Sequence, residues 1–401
     1  MSADASSPYA PLPDAPKGWG LKDALHGTKD DKGHVHCGKL DFPDQKSFND
    51  FSSLQWGLGG TKEQLATLHY IETTGKTPLS EPVKSAPAGT SVDKLLDVSN
   101  KTPDNAGFYN LGTLRVKADE YQQFATLQKE LCKKNPEALD TLYHMEHAPA
   151  SEKPLTFRVT SDQDRNDRYD DKTNTISWNP NTSVRDKDSG GRVTPATAAL
   201  HEETHWAQRG RVADTLERIP DAKYTSWSEK AVIDGSEKRD LALRGLPPRT
   251  SHDGDGLNVK GIDSVTPSLT VKQNGGEREV RAPFQQSGRI IEVDKKAGTV
   301  VMAVRGEGNA PEHRMEFKTE QLNFAAMGDN AARTNLLLEG AKYHKDTVSL
   351  QITNDGRVLY SDPAQEKRIH DNPQPGVEFP KPMQAIGAAP AAVPVGGGRD
   401  R

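Results

Sequence analysis

The chain of 401 residues is long enough for two or three folded units, and its 52 basic and 57 acidic residues give a net charge of −5. Because the two signs are mixed along the sequence, this balance argues against a nucleic-acid-binding surface or a polybasic membrane patch. Only two cysteines are present, which excludes a disulfide framework and cysteine-based zinc sites, so any metal site must use histidine and carboxylate ligands.

The N-terminal residues 1–20 are rich in proline and serine, and we expect them to form a disordered leader. They lack the basic start and the apolar stretch of a secretory signal peptide, and no run of about 18 apolar residues occurs in the sequence. We therefore expect no membrane insertion. The protein is expected either to stay in the cytoplasm or to be exported without a cleaved Sec-type signal.

The segment that follows the leader is expected to be mostly helical. Residues 61–72 and 118–134 both carry apolar residues at helical spacing. One face of the second segment carries Tyr121, Phe124, Leu127 and Leu131. This periodicity predicts an amphipathic helix over residues 118–134.

Two groups of histidines in this region are weighed as metal sites. The first group consists of His26, His34, His36 and Cys37. Its spacing matches no four-ligand site, and the intervening Gly, Asp and Lys residues predict a flexible loop. The second group is the pair His144 and His147, which the sequence places one turn apart near a helix end, where the helix dipole favours positive charge. We interpret it as a helix-terminal pair.

Two strands and a helix are predicted in the middle of the chain. The alternating segments 154–162 and 174–180 predict strands, and the charged residues between them predict a polar turn. A helix is predicted over residues 194–210. Thr194 can cap its first turn, and Pro195 suits the first helical position because its missing N–H is not needed there.

Short alternating segments bounded by Gly, Asp and Asn dominate residues 262–362 and predict a small antiparallel barrel or sandwich. The low-complexity C-terminal end is expected to be disordered. The predicted divisions are therefore a leader (1–20), a helical N-terminal region (21–150), a central domain (151–260), a small β domain (262–362) and a disordered tail (375–401).

The helix predicted over residues 194–210 contains an HExxH motif, His201-Glu202-Glu203-Thr204-His205. Histidines four residues apart lie on one face of a helix, so both imidazoles can reach one ion. The intervening Glu202 can take a proton from a water molecule at the open metal position and pass it to a leaving amine. Zinc suits such ligands. The alternative is a chance match on a solvent-facing polar helix.

A catalytic zinc ion needs a third protein ligand, and the helix predicted over residues 225–244 offers two carboxylates. Glu229 and Glu237 recur at a spacing that puts them on the same helix face. Glu229 is favoured, because residues 231–233 beside it are apolar and are expected to be buried. Glu237 remains the alternative.

Four segments together resemble the NleD-like effector zinc metallopeptidases: NTISWNP, TPATAALHEETHWA, EKAVIDG and SEKRDLALRGLPPRTSH. The resemblance covers about residues 154–253. It implies that His201 and His205 bind zinc, that Glu202 is the general base and that Glu229 is the third ligand. It also implies that Glu237 and Arg249 belong to motifs that surround or complete the metal site.

The chain departs from this family at four positions. Lys238 stands where an Asn is usual, and Leu241 where an Arg is common. Glu203 occupies a position that is usually apolar. His252 replaces a frequent Tyr, and its imidazole can either stabilise the oxyanion of the reaction or be a loop histidine without a role.

These observations predict an α+β fold with a zincin-like metallopeptidase core, a helical N-terminal region and a small β-rich C-terminal domain. The resemblance implies a secreted bacterial effector or toxin that hydrolyses proteins of a target cell and thereby contributes to virulence. Its expected cofactor is Zn²⁺, and its expected partners are a protein substrate and a secretion chaperone or delivery apparatus. The alternative, prompted by Glu203 and the altered motif around Lys238, is an interaction or structural protein with an inert HExxH.

Overall fold

The structure is a computed structural model, and it describes residues 8–9, 12–149, 152–160, 167–209, 211–221, 223–273, 276–305, 311–319, 331–353, 358–364 and 367. The fold is mixed α+β, as the sequence predicts. The chain divides into two compact units. The first comprises Met1–Leu269, Glu279–Pro283 and Ile352–Gly356, and the second comprises Thr270–Arg278, Phe284–Gln351 and Arg357–Arg401.

The first unit contains ten α-helices among the described residues: α1 (Leu21–Ala24), α2 (Gln45–Gly57), α3 (Lys62–Thr74), α4 (Val92–Leu95), α5 (Tyr121–Lys134), α6 (Pro136–Glu146), α7 (Pro195–Gln208), α8 (Arg211–Glu217), α9 (Trp227–Val232) and α10 (Lys238–Leu243). A π-helical turn, Ile233–Glu237, joins α9 to α10. The face of α5 predicted to be apolar is buried, which confirms its amphipathic pattern.

The same unit contains β1 (Thr28–Lys29), β2 (Val35–Cys37), β3 (Leu40–Phe42), β4 (Phe108–Leu111), β5 (Leu114–Lys117), β6 (Leu155–Val159), β7 (Arg168–Asp170), β8 (Thr175–Trp178), β9 (Thr182–Asp186), β10 (Arg192–Val193), β11 (Pro220–Asp221), β12 (Thr225–Ser226) and β13 (Gly254–Asn258). The largest of its sheets has the order β4-β5-β6-β8-β7. Strands β5, β6 and β8 are parallel, whereas β4 and β7 run antiparallel to their neighbours.

Strand β7 lies within the segment that the sequence analysis predicts to be a polar turn, so that prediction is wrong for residues 168–170. Tyr169 of this strand pairs with Ile176 of β8. A strand at the edge of a sheet is stabilised by backbone hydrogen bonds on one side only, and its side chains need not be apolar. The charged sequence therefore did not predict β7, which is stabilised by its backbone hydrogen bonds with β8.

The expected division at residue 150 falls inside this five-stranded sheet. Strands β4 and β5 precede it and β6 follows it, and β5 pairs directly with β6. Because neighbouring strands share their backbone hydrogen bonds, the helical N-terminal region and the central domain form one compact unit.

Helix α7 carries the HExxH motif through the interior of this unit. Thirteen of its 14 residues are buried, which argues against the alternative of a solvent-facing polar helix. Its start is fixed as predicted: the Thr194 hydroxyl accepts a hydrogen bond from the Thr197 amide at 3.0 Å. The indole of Trp178 on β8 donates to the carbonyl of Pro195 at 2.7 Å, which ties the sheet to the first turn of α7.

Most described residues of the second unit lie in the C-terminal strands and in one further helix, and parts of β14, β15 and β19 belong to the first unit. These elements are β14 (Ser268–Gln273), β15 (Gly276–Arg281), β16 (Phe284–Asp294), β17 (Thr299–Val304), β18 (His313–Lys318), β19 (Thr347–Ile352), β20 (Val358–Ser361) and α11 (Ala331–His344). These strands form one sheet with the order β15-β14-β18-β17-β16-β19-β20. A β-rich region was predicted here, but the arrangement is a single seven-stranded sheet with a helix.

The described residues of the N-terminal part are more ordered than the composition predicts. Tyr9 of the expected leader is buried, and the Lys84 amide donates to the carbonyl of Pro8 at 2.7 Å. The histidine-rich segment contributes strand β2 to a three-stranded sheet, in which His36 of β2 pairs with Asp41 of β3. The prediction of a flexible loop is therefore wrong for this strand. The predicted tail, 375–401, lies outside the described residues.

Candidate metal centre

Three side chains bring their metal-binding atoms to almost equal mutual distances. The Nε2 atoms of His201 and His205 are 3.1 Å apart, and Glu229 Oε2 lies 3.1 Å from the first and 3.2 Å from the second. A tetrahedral zinc site with bonds of about 2.0 Å requires ligand atoms about 3.3 Å apart. The triangle formed by these three atoms therefore has the size that a zinc ion needs.

The electrostatics of this triangle also fit a cation. Burial opposes a charge on His201, but its hydrogen bonds to Glu229 and Glu237 outweigh burial and raise its pKa to about 10. Burial alone would raise the pKa of Glu229, and the facing His205 and His201 lower it well below its usual range. The lone pairs of the three atoms point towards one position. A proton there can bridge only two of them, whereas one metal ion can bind all three.

Glu237 contacts the other side of the same imidazole. Its Oε2 accepts a hydrogen bond from His201 Nδ1 at 2.8 Å, and Arg249 donates to both of its carboxylate oxygens at 2.6 and 2.8 Å. Burial raises the pKa of Glu237, but Arg249 and His201 outweigh it and lower the pKa. The sequence left Glu229 and Glu237 as alternatives for the third ligand. Glu229 lies beside the Nε2 atoms of both histidines, whereas Glu237 contacts Nδ1 of His201 and orients its ring.

Glu202 faces the edge strand of the five-stranded sheet. Its Oε2 accepts a hydrogen bond from the Tyr169 backbone amide of β7 at 2.7 Å. Asp167 lies just before this strand and receives a hydrogen bond from the Asn179 amide at 2.6 Å. Burial raises the pKa of Asp167 well above its usual range, and the charge of Glu202 adds to this increase. The carboxyl group of Asp167 therefore favours its neutral form beside Glu202.

His252 reaches the same site from the loop between α10 and β13. Its Nε2 lies 3.3 Å from Glu229 Oε2, and 40% of its side chain is exposed. Burial of the remainder lowers its pKa. The His252 amide donates to the carbonyl of Lys223 at 2.8 Å, which fixes the backbone of the loop at this position.

Asp186 at the end of β9 holds the loop that carries both Arg249 and His252. Its carboxylate accepts hydrogen bonds from the Thr250 amide at 2.5 Å and from the Ser251 hydroxyl at 2.9 Å. Burial would raise the pKa of Asp186, but these and other hydrogen bonds lower it well below its usual range. A charged, fully buried carboxylate thus holds the two residues that lie between the arginine and the histidine.

The π-helical turn between α9 and α10 allows Glu229 and Glu237 to approach opposite sides of one imidazole. Gly235 in this turn has a non-helical conformation, with φ −96° and ψ −110°. A side chain at Gly235 would lie 2.8 Å from the carbonyl oxygen of Ser80. Glycine is therefore required here by close backbone packing. π-Helical turns occur frequently at functional sites.

The departures from the family pattern at three positions do not touch the metal-binding atoms. Glu203 is fully buried and accepts a hydrogen bond from Gln128 at 2.5 Å, and burial raises its pKa to about 8. Leu241 packs with Val193 and Ala198 in a small apolar cluster. Lys238 is exposed. The two observations that prompted the inert-motif alternative thus lie away from the site.

Sequence reasoning missed three residues that the structure brings to the site: Asp167, Tyr169 and Asp186. Tyr169 contributes its backbone amide, which leaves no trace in the side-chain pattern. Asp167 and Asp186 each lie in a charged loop sequence, where acidic residues are ordinarily solvated. Neither aspartate lies at the end of a strand that the sequence predicts, so the sequence pattern carried no signal for them.

Comparisons with known proteins find no match: no family model, no curated protein and no solved structure is similar to this chain. The resemblance to NleD-like metallopeptidases therefore stays a prediction. Among the described residues, no helix has the length and apolar character required to cross a membrane.

Proposed function

We propose that the protein is a zinc-dependent endopeptidase with a zincin-like core. The observation that carries this proposal is the triangle formed by His201, His205 and Glu229, whose metal-binding atoms are 3.1–3.2 Å apart beside the Glu202 carboxylate. The buried position of α7 and the parallel strands beside it support the same reading, because a zincin requires its motif helix to pack against a sheet.

The residues present fit a catalytic zinc site with three protein ligands. His201, His205 and Glu229 would hold the ion, which when bound polarises a carbonyl group and lowers the pKa of a water molecule. Glu237 would fix the orientation and tautomer of His201, and Arg249 would fix Glu237. The side chains of His205 and Glu229 keep 14% and 20% of their surfaces exposed, so this position is open to solvent.

Glu202 would act as the general base. It would take the proton of the attacking water and then deliver it to the departing amine of the cleaved peptide. The Tyr169 amide holds its carboxylate in place. Strand β7 ends the sheet beside this carboxylate, so an extended substrate would run along β7 and present its peptide bond to Glu202.

His252 would stabilise the oxyanion that forms at the attacked carbonyl. Its imidazole contacts the Glu229 carboxylate, and it is partly exposed. A nitrogen donor aimed at developing negative charge contributes several kcal/mol to such reactions, about 3 kcal/mol in typical cases.

The biological setting follows from the sequence resemblance. We propose that the protein is delivered to a target cell as an effector or toxin, without a cleaved Sec-type signal, and that it cuts proteins there. A secretion chaperone or delivery apparatus would be its partner in the producing cell. The mixed surface charge supports a protein substrate rather than a nucleic acid.

The proposed activity is tested by mapping new protein N-termini in target cells that express wild type or the Glu202→Ala variant. Wild type is expected to generate a defined set of new N-termini that the variant does not generate. Equal sets for the two proteins, with zinc bound to both, would show that the HExxH is inert and would favour an interaction protein instead.

A further inference from the structure

A third imidazole lies within reach of the metal-binding atoms. One ligand atom each of His201, Glu229 and His252 lie within 4.8 Å of one another. The closest of these approaches joins His252 Nε2 to Glu229 Oε2 at 3.3 Å, which is the same carboxylate oxygen that His205 and His201 face. Three imidazoles capable of binding zinc therefore face one carboxylate oxygen of Glu229.

The loop that carries His252 is fixed, but its imidazole is not enclosed. Its backbone amide is bonded to Lys223, and the preceding residues are held by Asp186. The side chain itself keeps 40% of its surface exposed, in contrast to 6% for His201. A rotation about the side-chain bonds of His252 can therefore bring its nitrogen to the metal or remove it without moving the backbone.

We propose that His252 is a fourth metal ligand in the resting protein and that the substrate displaces it. This inference rests on the proposed metal centre of His201, His205 and Glu229. Zinc sites with four protein ligands are closed and structural, whereas catalytic sites keep one position open. A resting set of three imidazoles and one carboxylate thus keeps the protease latent until a peptide bond competes for the position of His252.

Displacement would also leave the released imidazole beside the reacting carbonyl group. His252 would leave the position that the substrate carbonyl then occupies, and its backbone would stay fixed by Lys223. The imidazole would remain beside the reacting group and could donate to the oxyanion. One residue would therefore serve first as a ligand and then as a hydrogen-bond donor.

The test uses cobalt-substituted full-length protein with the His252→Ala variant. The visible absorption of bound Co²⁺ depends on the number and kind of its ligands. We expect His252→Ala to change this spectrum, because a water molecule would replace an imidazole ligand. The matched control is His147→Ala, an exposed histidine on the loop after α6, which is expected to give the wild-type spectrum. A His252→Ala spectrum identical to that of wild type would overturn the proposal.

Zinc affinity provides a second readout that does not depend on activity. In competition with a chelator, His252→Ala is expected to bind zinc at least about 10-fold more weakly than wild type. Equal affinities would contradict a ligand role for His252. The variant His201→Ala separates this inference from the metal centre itself. If it binds zinc as wild type does, both proposals fail; if only it loses zinc, the metal centre stands and His252 is not a ligand.

Discussion

His201 is constrained at both ring nitrogens. Nε2 faces Glu229 and His205, and Nδ1 donates to Glu237. Since Arg249 in turn pairs with Glu237, a buried chain of three residues sets the direction in which the Nε2 lone pair points. Such carboxylate–histidine contacts fix the tautomer and raise the basicity of a ligating imidazole. This chain explains why Glu237 is buried and charged without being a ligand.

We predict that Glu237→Gln weakens zinc binding by about 10-fold to 100-fold, because the amide keeps the shape of the side chain but loses the charge that orients His201. Chelator competition measures this change. The matched control is Glu312→Gln, since Glu312 is an exposed partner of Arg289 in the second unit. An unchanged zinc affinity in Glu237→Gln would refute the orienting role of this residue.

A second buried carboxylate, far from the metal centre in sequence, predicts a pH effect on stability. Glu146 at the end of α6 is 7% exposed, and burial raises its pKa to about 8. Among the described residues its Oε1 has no hydrogen-bond partner. Because the pKa in the folded state lies above the unfolded value of 4.5, stability is lost as pH rises from about 4.5 to about 8.

We therefore predict that Glu146→Gln is more stable than wild type at pH 8 and that this advantage disappears near pH 4. The difference amounts to about 1.4 kcal/mol for each unit by which the pKa is raised. Urea unfolding at several pH values measures it. A difference between the two proteins that does not change with pH would be inconsistent with a raised pKa of Glu146.

At the scale of elements, sequence patterns located most of the parts but not their contacts. Helix α7 begins where Thr194 and Pro195 predict, and β6 and β8 lie within the predicted strands. Strand β7 was missed because its residues, Arg168–Asp170, show no apolar alternation, although it forms a local hairpin with β8. The π-helical turn was missed for a different reason, since Gly235 packs against Ser80, which is distant in the sequence.

This approach of two backbones predicts that Gly235→Ala destabilises the protein by roughly 1–3 kcal/mol. The new methyl group would lie 2.8 Å from the Ser80 carbonyl oxygen, so the turn must shift. The control is Gly57→Ala at the end of α2, where a methyl group would meet nothing within 4 Å. Thermal unfolding of the two variants compares them, and equal melting temperatures would contradict the close packing at Gly235.

At the scale of the whole molecule, the candidate metal centre belongs entirely to the first unit. His201, Glu202 and His205 come from α7, and Glu229 comes from α9. The motif residues were predictable because helical periodicity fixes their relative positions. Asp186 was not predictable, since it reaches the site through a loop more than sixty positions away in the sequence. The seven-stranded sheet contributes no ligand to this centre among the described residues.

The central claim is that one zinc ion is held by His201, His205 and Glu229. Elemental analysis of zinc per chain after exhaustive dialysis tests it most directly. We predict one equivalent in wild type and in Glu202→Gln, and well below one equivalent in His205→Ala and in Glu229→Ala. Wild-type protein that retains no zinc, or a Glu229→Ala variant that retains a full equivalent, would contradict this assignment of the metal centre.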